Sequence, residues 1–154
     1  MLFRSSQSEA PDVYLYNPAD PVPTTGGALC CNPYFAANGA YDQNDVEERH
    51  DVLVYSTPPL EEDTEVTGPV TVTLWASTSA TDTDFTAKLV DVCENGCARN
   101  LTDGIIRARY RDSMSNPTLL EPGRAYCYEI DLWATSNVFK SGHRIRLEIS
   151  SSNF

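Results

Sequence analysis

Side chains able to do covalent or acid–base chemistry are few in this chain. It carries two histidines, His50 and His143, and five cysteines, Cys30, Cys31, Cys93, Cys97 and Cys127. A Ser-His-Asp mechanism would need one of the histidines as base, oriented by a carboxylate and facing a nucleophile. His50 stands in the charged run Glu47-Glu48-Arg49-His50-Asp51, where a solvated turn is the plainer reading. His143 follows Ser141-Gly142 and opens a strand-like run, again a turn position. No glycine pair brackets a serine as G-x-S-x-G, and neither H-E-x-x-H nor G-x-x-x-x-G-K-[ST] occurs. No catalytic, cofactor-binding or metal-ligating residue is therefore assigned.

Weaker signals each carry two readings. Asp82-Thr83-Asp84 offers hard oxygens to a calcium ion, with Asp91 or Glu61-Glu62-Asp63 completing a shell, but lacks a full ligand loop and reads first as a polar turn. Cys93 and Cys97 flank Glu94-Asn95-Gly96, a hairpin connection with Gly96 at its φ > 0 position. They stand as free thiols or, if the strands pair there, as a disulfide. Asn100-Leu101-Thr102 is a glycosylation sequon that matters only on export. Trp75 and Trp133 fall on the phase opposite the apolar alternation of their strands and point away from the core. A covering arm, a docked domain or a stacked sugar ring would each explain them.

The elements that must position these groups are strands. Val52–Tyr55, Val70–Ala76, Phe85–Val92, Ile105–Tyr110, Ala125–Leu132 and Arg144–Ile149 are predicted extended, several with period-two alternation. In Val70–Ala76, for example, Val70, Val72, Leu74 and Ala76 share a face opposite Thr71, Thr73 and Trp75. Residues 1–50 are punctuated by Asn17-Pro18, Asp20-Pro21, Val22-Pro23, Gly26-Gly27, Asn32-Pro33 and Asn38-Gly39, which leave room only for short extended pieces. The reading is one all-β domain: a proline- and glycine-rich wrapping arm over 1–50 and a β-sandwich or jelly roll over 51–154.

Composition sets the outer bounds. In 154 residues, 22 acidic side chains face 11 basic ones, a formal charge of −11. That sign works against nucleic acid or an anionic membrane as partner, since either calls for a basic face. No secretory signal or run long enough to span a bilayer is seen, so a cytoplasmic location is expected. An odd number of irregularly spaced cysteines fits reduced thiols better than a disulfide scaffold.

An ordered set of motifs then carries a resemblance. Tyr16 to Gly27 (YNPADPVPTTGG), Tyr41-Asp42-Gln43, Asp51–Tyr55, Glu65–Val70, Asp82–Val92, Asp103-Gly104-Ile105, Thr135–Phe139 and Ser141 to Phe154 (SGHRIRLEISSSNF) together resemble the C-terminal domain of the X-Pro dipeptidyl-peptidase and cocaine-esterase-like (CocE/NonD) serine hydrolases. The resemblance implies a jelly-roll β-sandwich like galactose-binding domains. It implies a partner, the α/β-hydrolase domain that holds the triad, normally in the same chain. The triad precedes this region in the family, so the chain by itself is expected to be inactive. It implies further that the segment after Gly26-Gly27 nears the acyl pocket, which nominates Leu29 and Cys30 as pocket-lining, with Trp75 and Trp133 as docking or ligand surface. A carbohydrate-binding module is the alternative function. Set against that family, the chain is expected to be cut inside its own sheet at the C-terminal end, leaving open sheet edges that favour self-association.

Overall fold

A computed structural model describes residues 10–28 and 38–154. Its regular elements are α1 (Asn44–Glu47), β1 (Leu53–Ser56), β2 (Thr64–Ala76), β3 (Asp84–Val92), β4 (Ala98–Arg107), a 3-10 turn at Ala108–Tyr110, β5 (Tyr126–Phe139) and β6 (Arg144–Ser150). Four strands form one sheet in the order β1-β6-β3-β4, and β2 pairs with β5 as a separate ribbon, all antiparallel. The two sheets face each other as a β-sandwich. Phe85, Ala87, Leu89, Ile145 and Ile149 of the larger sheet meet Tyr128, Ile130, Leu132 and Phe139 of the ribbon in one core. Phe85 and Tyr128 touch with ring centroids 4.8 Å apart. Each such side chain removed from water is worth roughly 1.5–3 kcal/mol, and the alternation along each strand delivers it to the same side.

The larger sheet is also covered on its other face. Central strand β3 is buried on both sides, its outward residues Thr86, Lys88, Val90 and Val92 included, with Lys88 held by Gln43 of the arm. Val22 of the arm packs with Val46 of α1 and Val52. Gln43, wholly buried, ties the layers: its side-chain amide donates to Thr25 O (2.8 Å) and Tyr41 O (3.1 Å), and its carbonyl oxygen accepts from Lys88 Nζ (3.2 Å). Residues 41–43 pair with the free edge of β4 through Gln43 N–H to Ala98 O (2.7 Å) and Asn100 N–H to Tyr41 O (3.3 Å). That stretch of edge is closed from within the chain.

The other end of the sheet clasps the arm as well. Val22 N–H donates to Ser152 Oγ (2.8 Å), Thr24 N–H to Phe154 O (2.7 Å) and Phe154 N–H to Val22 O (2.8 Å). Tyr14 Oη and Ser151 Oγ lie 2.7 Å apart, and Ser150 Oγ meets Thr86 Oγ1 at 2.5 Å. Of three consecutive buried serines, Ser151 and Ser152 thus fasten the arm, while Ser150 ties β6 to β3.

Three strands differ from their expected extents. The second starts at Thr64, six residues before the expected Val70, because β5 extends beside it to Phe139. The fourth begins at Ala98 and ends at Arg107, with Ala108–Tyr110 curling into a 3-10 turn, where Ile105–Tyr110 was expected. Its first half is rich in weak strand formers because their side chains have other partners. Asn100 Oδ1 accepts from Tyr41 N–H (2.7 Å), the Thr102 hydroxyl donates to Leu132 O, and Asp103 accepts from Asn153 Nδ2 (3.1 Å). The fifth continues past Leu132 to Phe139 by way of a bulge at Trp133.

Candidate functional site

The described histidines do not assemble a triad. His143 Nδ1 is 2.8 Å from Asp91 Oδ1, half of an acid–base arrangement, yet among the described residues no hydroxyl or thiol is hydrogen-bonded to its Nε2. His50 is exposed. Asp82 and Asp84 are occupied by arginines: Asp84 takes a bidentate pair from Arg107 (2.8 and 2.9 Å), and Asp82 receives Arg109 through backbone N–H (3.0 Å) and guanidinium (2.8 Å). Those pairs lock β3 to the end of β4, which is the turn role read first from the sequence. Asn100 of the sequon is buried, its Oδ1 accepting from Tyr41 N–H (2.7 Å), which gives it a structural role. Cys93 and Cys97 face each other across the β3–β4 hairpin as free thiols, and Gly96 adopts φ +88° between them. Leu29 and Cys30 lie outside the described residues.

What the fold does present is a bare outer face on the β2–β5 ribbon. Along β2 the residues Glu65, Thr67, Pro69, Thr71, Thr73 and Trp75 alternate outward, while their neighbours turn toward the core. Trp75 is 71% exposed and Trp133 is 76% exposed. In register, Trp75 opposes Cys127, six positions from Trp133 along β5. At about 3.4 Å per residue their backbone positions lie roughly 17–20 Å apart along the ribbon. The described arm packs on the opposite sheet and leaves both uncovered.

Trp133 owes its position to a bulge. Pro69 pairs with Ala134 but Thr71 pairs with Asp131, so Leu132 and Trp133 together oppose Val70. Trp133 takes φ +66°, the sole non-glycine residue in the left-handed region among those described, and its N–H donates to Asp131 Oδ1 (2.8 Å). Such a conformation costs on the order of 1–3 kcal/mol for a bulky residue. Directly beneath, Gly104 of β4 sits so close that an added Cβ would collide with the Asp131 carbonyl. The sequence signal for the outward indoles was their alternation phase. The bulge itself left none, since tryptophan is a poor candidate for φ > 0.

A second polar constellation escaped the sequence reading. On the arm-covered face, Lys88 Nζ lies 3.7 Å from the Glu148 carboxylate, Arg146 binds Glu47, and Glu47 and Glu148 are within hydrogen-bonding reach of each other. One carboxylate oxygen of each glutamate is buried without a hydrogen-bond partner. Burial, offset in part by Lys88 and reinforced by Glu47, pushes Glu148 up to about 7. Two acids and two bases form a latch between α1 and β6, and its outer member, Arg146, also lines an open surface cavity of about 470 Å³ with Asn44, Val92 and Arg144.

A sandwich sealed on one face by its own arm and bare on the other is built as an accessory β-domain that presents a surface. Comparison with known proteins agrees. The model of a family described as the X-Pro dipeptidyl-peptidase C-terminal non-catalytic domain matches residues 4–154. The chain belongs to that family. It is 54% identical over 149 residues to a cocaine esterase from Rhodococcus sp. (strain MB1 Bresler), covering 97% of this chain and 26% of the relative. To a putative Xaa-Pro dipeptidyl-peptidase of Bacillus anthracis it is 26% identical, covering 92% and 24%. Among solved structures, an α-amino acid ester hydrolase superposes with a TM-score of 0.83 at 32% identity, covering 92% of this chain and 25% of that one. An aminopeptidase from a marine-sediment Thaumarchaeota archaeon gives 0.81 at 34%. The chain therefore spans about a quarter of the relatives it matches. The expected resemblance, the β-sandwich and the accessory, non-catalytic character all hold.

Proposed function

We propose that this domain docks on the α/β-hydrolase domain of a serine hydrolase and helps to shape its acyl pocket, the parent enzyme cleaving X-Pro peptide, ester or amide bonds. The observation that carries the reading is the match of residues 4–154 to a non-catalytic C-terminal family within relatives about four times as long. The bare ribbon face with Trp75 and Trp133 supports it, since large exposed aromatics are the residue type that anchors protein interfaces. Within this reading Leu29 and Cys30 contribute to the pocket wall, and catalysis stays with the partner domain.

Reconstitution tests it. The catalytic portion of the Rhodococcus relative, prepared without the quarter that this chain matches, is mixed with the chain. Co-elution in gel filtration and a rise in ester hydrolysis are expected, and both should weaken with Trp75→Ala and Trp133→Ala. Absence of binding together with unchanged hydrolysis would overturn the proposal.

A further inference from the structure

The β3–β4 hairpin holds chemistry that the docking role does not use. Val92 pairs with Ala98, which makes Cys93 and Cys97 the next facing positions. Cys93 N–H donates to Cys97 O (2.9 Å) and Gly96 N–H to Cys93 O (2.9 Å), the pattern of a three-residue loop closed by a left-handed glycine. Facing residues in such a hydrogen-bonded pair have Cα atoms about 5.5 Å apart, inside the span a disulfide bridges. Both thiols are free and partly accessible. The Cys97 sulfur is also within hydrogen-bonding reach of the Arg99 guanidinium and the Asp42 carboxylate. The guanidinium can donate to that sulfur, and the thiol can donate to the carboxylate.

We propose that Cys93 and Cys97 are a redox-responsive pair that closes to a disulfide across the hairpin, with Cys97 as the attacking thiol and Cys93 as the resolving one. With hydrogen peroxide, Cys97 thiolate attacks one oxygen, the O–O bond breaks and hydroxide leaves, giving a sulfenic acid. Cys93 sulfur then attacks that sulfur, the S–O bond breaks, and hydroxide again leaves. In sum two thiols and one peroxide become one disulfide and two waters, the thiols losing two electrons and two protons. Because the bridge would sit at a partly exposed turn, it belongs to the readily reduced, regulatory kind of disulfide. Its neighbours give closure a consequence. Asp42, which accepts from Ala98 N–H (3.1 Å), loses its thiol contact, while Asn44 Nδ2 stays bound to Gly96 O (3.0 Å), so the cross-link acts where the arm grips β4.

The sequence supplies a clean readout, because trypsin cutting after Lys88 and Arg99 releases both cysteines in one peptide, Leu89 to Arg99. The full chain is treated with hydrogen peroxide or oxidised glutathione, alkylated, digested and analysed by mass spectrometry. The expected result is a peptide two hydrogens lighter and closed to alkylation, with doubly alkylated peptide falling at least about tenfold and returning after dithiothreitol. In Cys93→Ser, oxidised glutathione should instead leave a glutathione adduct on Cys97. Two alkylated thiols after oxidant treatment that does modify exposed Cys127, or a stable glutathione adduct on the unmutated pair, would overturn the proposal.

Discussion

Lys88 Nζ stands 3.7 Å from the carboxylate of Glu148, its cross-strand neighbour, and both side chains are almost fully removed from water. The pair lies under α1, on the side of the sheet that sequence alternation alone would leave to solvent. Glu47, Arg146 and Gln43 close around it, Gln43 wholly buried and Arg146 reaching toward the surface. Breaking one member of such a set costs more than its intact presence contributes, because the group left behind stays buried.

That arrangement makes stability depend on pH in an unusual direction. Glu148 binds its proton more tightly folded than unfolded, so its favourable contribution is complete below about pH 4.5 and fades as pH rises through about 7. Urea unfolding should therefore show stability declining by about 1–3 kcal/mol between pH 5 and 8. Glu148→Gln, permanently uncharged, should flatten that slope, and an unchanged slope in the variant would locate the titration elsewhere. Asp42, Asp51 and Asp63, held below the usual carboxylate range by hydrogen bonds from Ala98, Arg49 and Lys140, act in the opposite sense and only at lower pH.

Gly104→Ala should be among the most damaging one-carbon changes in the domain. The new methyl meets the Asp131 backbone and the Leu132 side chain, neither of which can retreat without shifting β5. A loss of about 2–3 kcal/mol is expected from denaturant midpoints. Gly123→Ala provides the contrast, since nothing lies near its would-be methyl and only its φ of +81° is penalised.

Trp133→Gly should separate stability from docking. Glycine accepts φ +66° without strain, so the isolated domain gains about 1 kcal/mol. Binding to the hydrolase portion should fall at the same time, through loss of the exposed indole. A variant both more stable and fully competent to bind would remove Trp133 from the interface.

Asn100→Ala tests whether the sequon asparagine is structural. Its loss leaves Tyr41 N–H without its acceptor where the arm meets β4, at a cost of about 1–2 kcal/mol. Hydrogen exchange at Tyr41 and Gln43 should rise before the core protects less. Unchanged exchange there would show that the arm is held by its backbone pairing alone.

Much of the sandwich was legible because period-two alternation reports burial directly: Val70, Val72 and Leu74 inward, and Tyr128, Ile130 and Leu132 likewise. It failed where residues serve another strand or the arm. Asn100, Thr102 and Gly104 fall outside the predicted strand, yet they belong to β4, where their contacts, distant in sequence, are with Tyr41, Leu132 and Asp131. The outward indoles were visible from phase, whereas the bulge that aims Trp133 depends on a register shift between β2 and β5 that no single segment encodes. The buried ionic set was hidden for the same reason: Lys88 and Glu148 look solvent-facing until an arm 45 residues away in sequence, through Gln43, is laid over them.

The fastening of Val22 and Thr24 to Ser152 and Phe154 spans 130 positions of chain. In a growing polypeptide the arm is made 130 positions ahead of its fasteners, at about 5–20 residues per second. For that interval the Val22–Val46–Val52 cluster has no complete sheet to cover, and Lys88 and Glu148 remain hydrated. Closing so large a loop is entropically slow, so the arm is the natural final step of folding. The domain's vulnerability to capture or cleavage is thus set by the delay between synthesis of the arm and arrival of Ser151, Ser152 and Phe154.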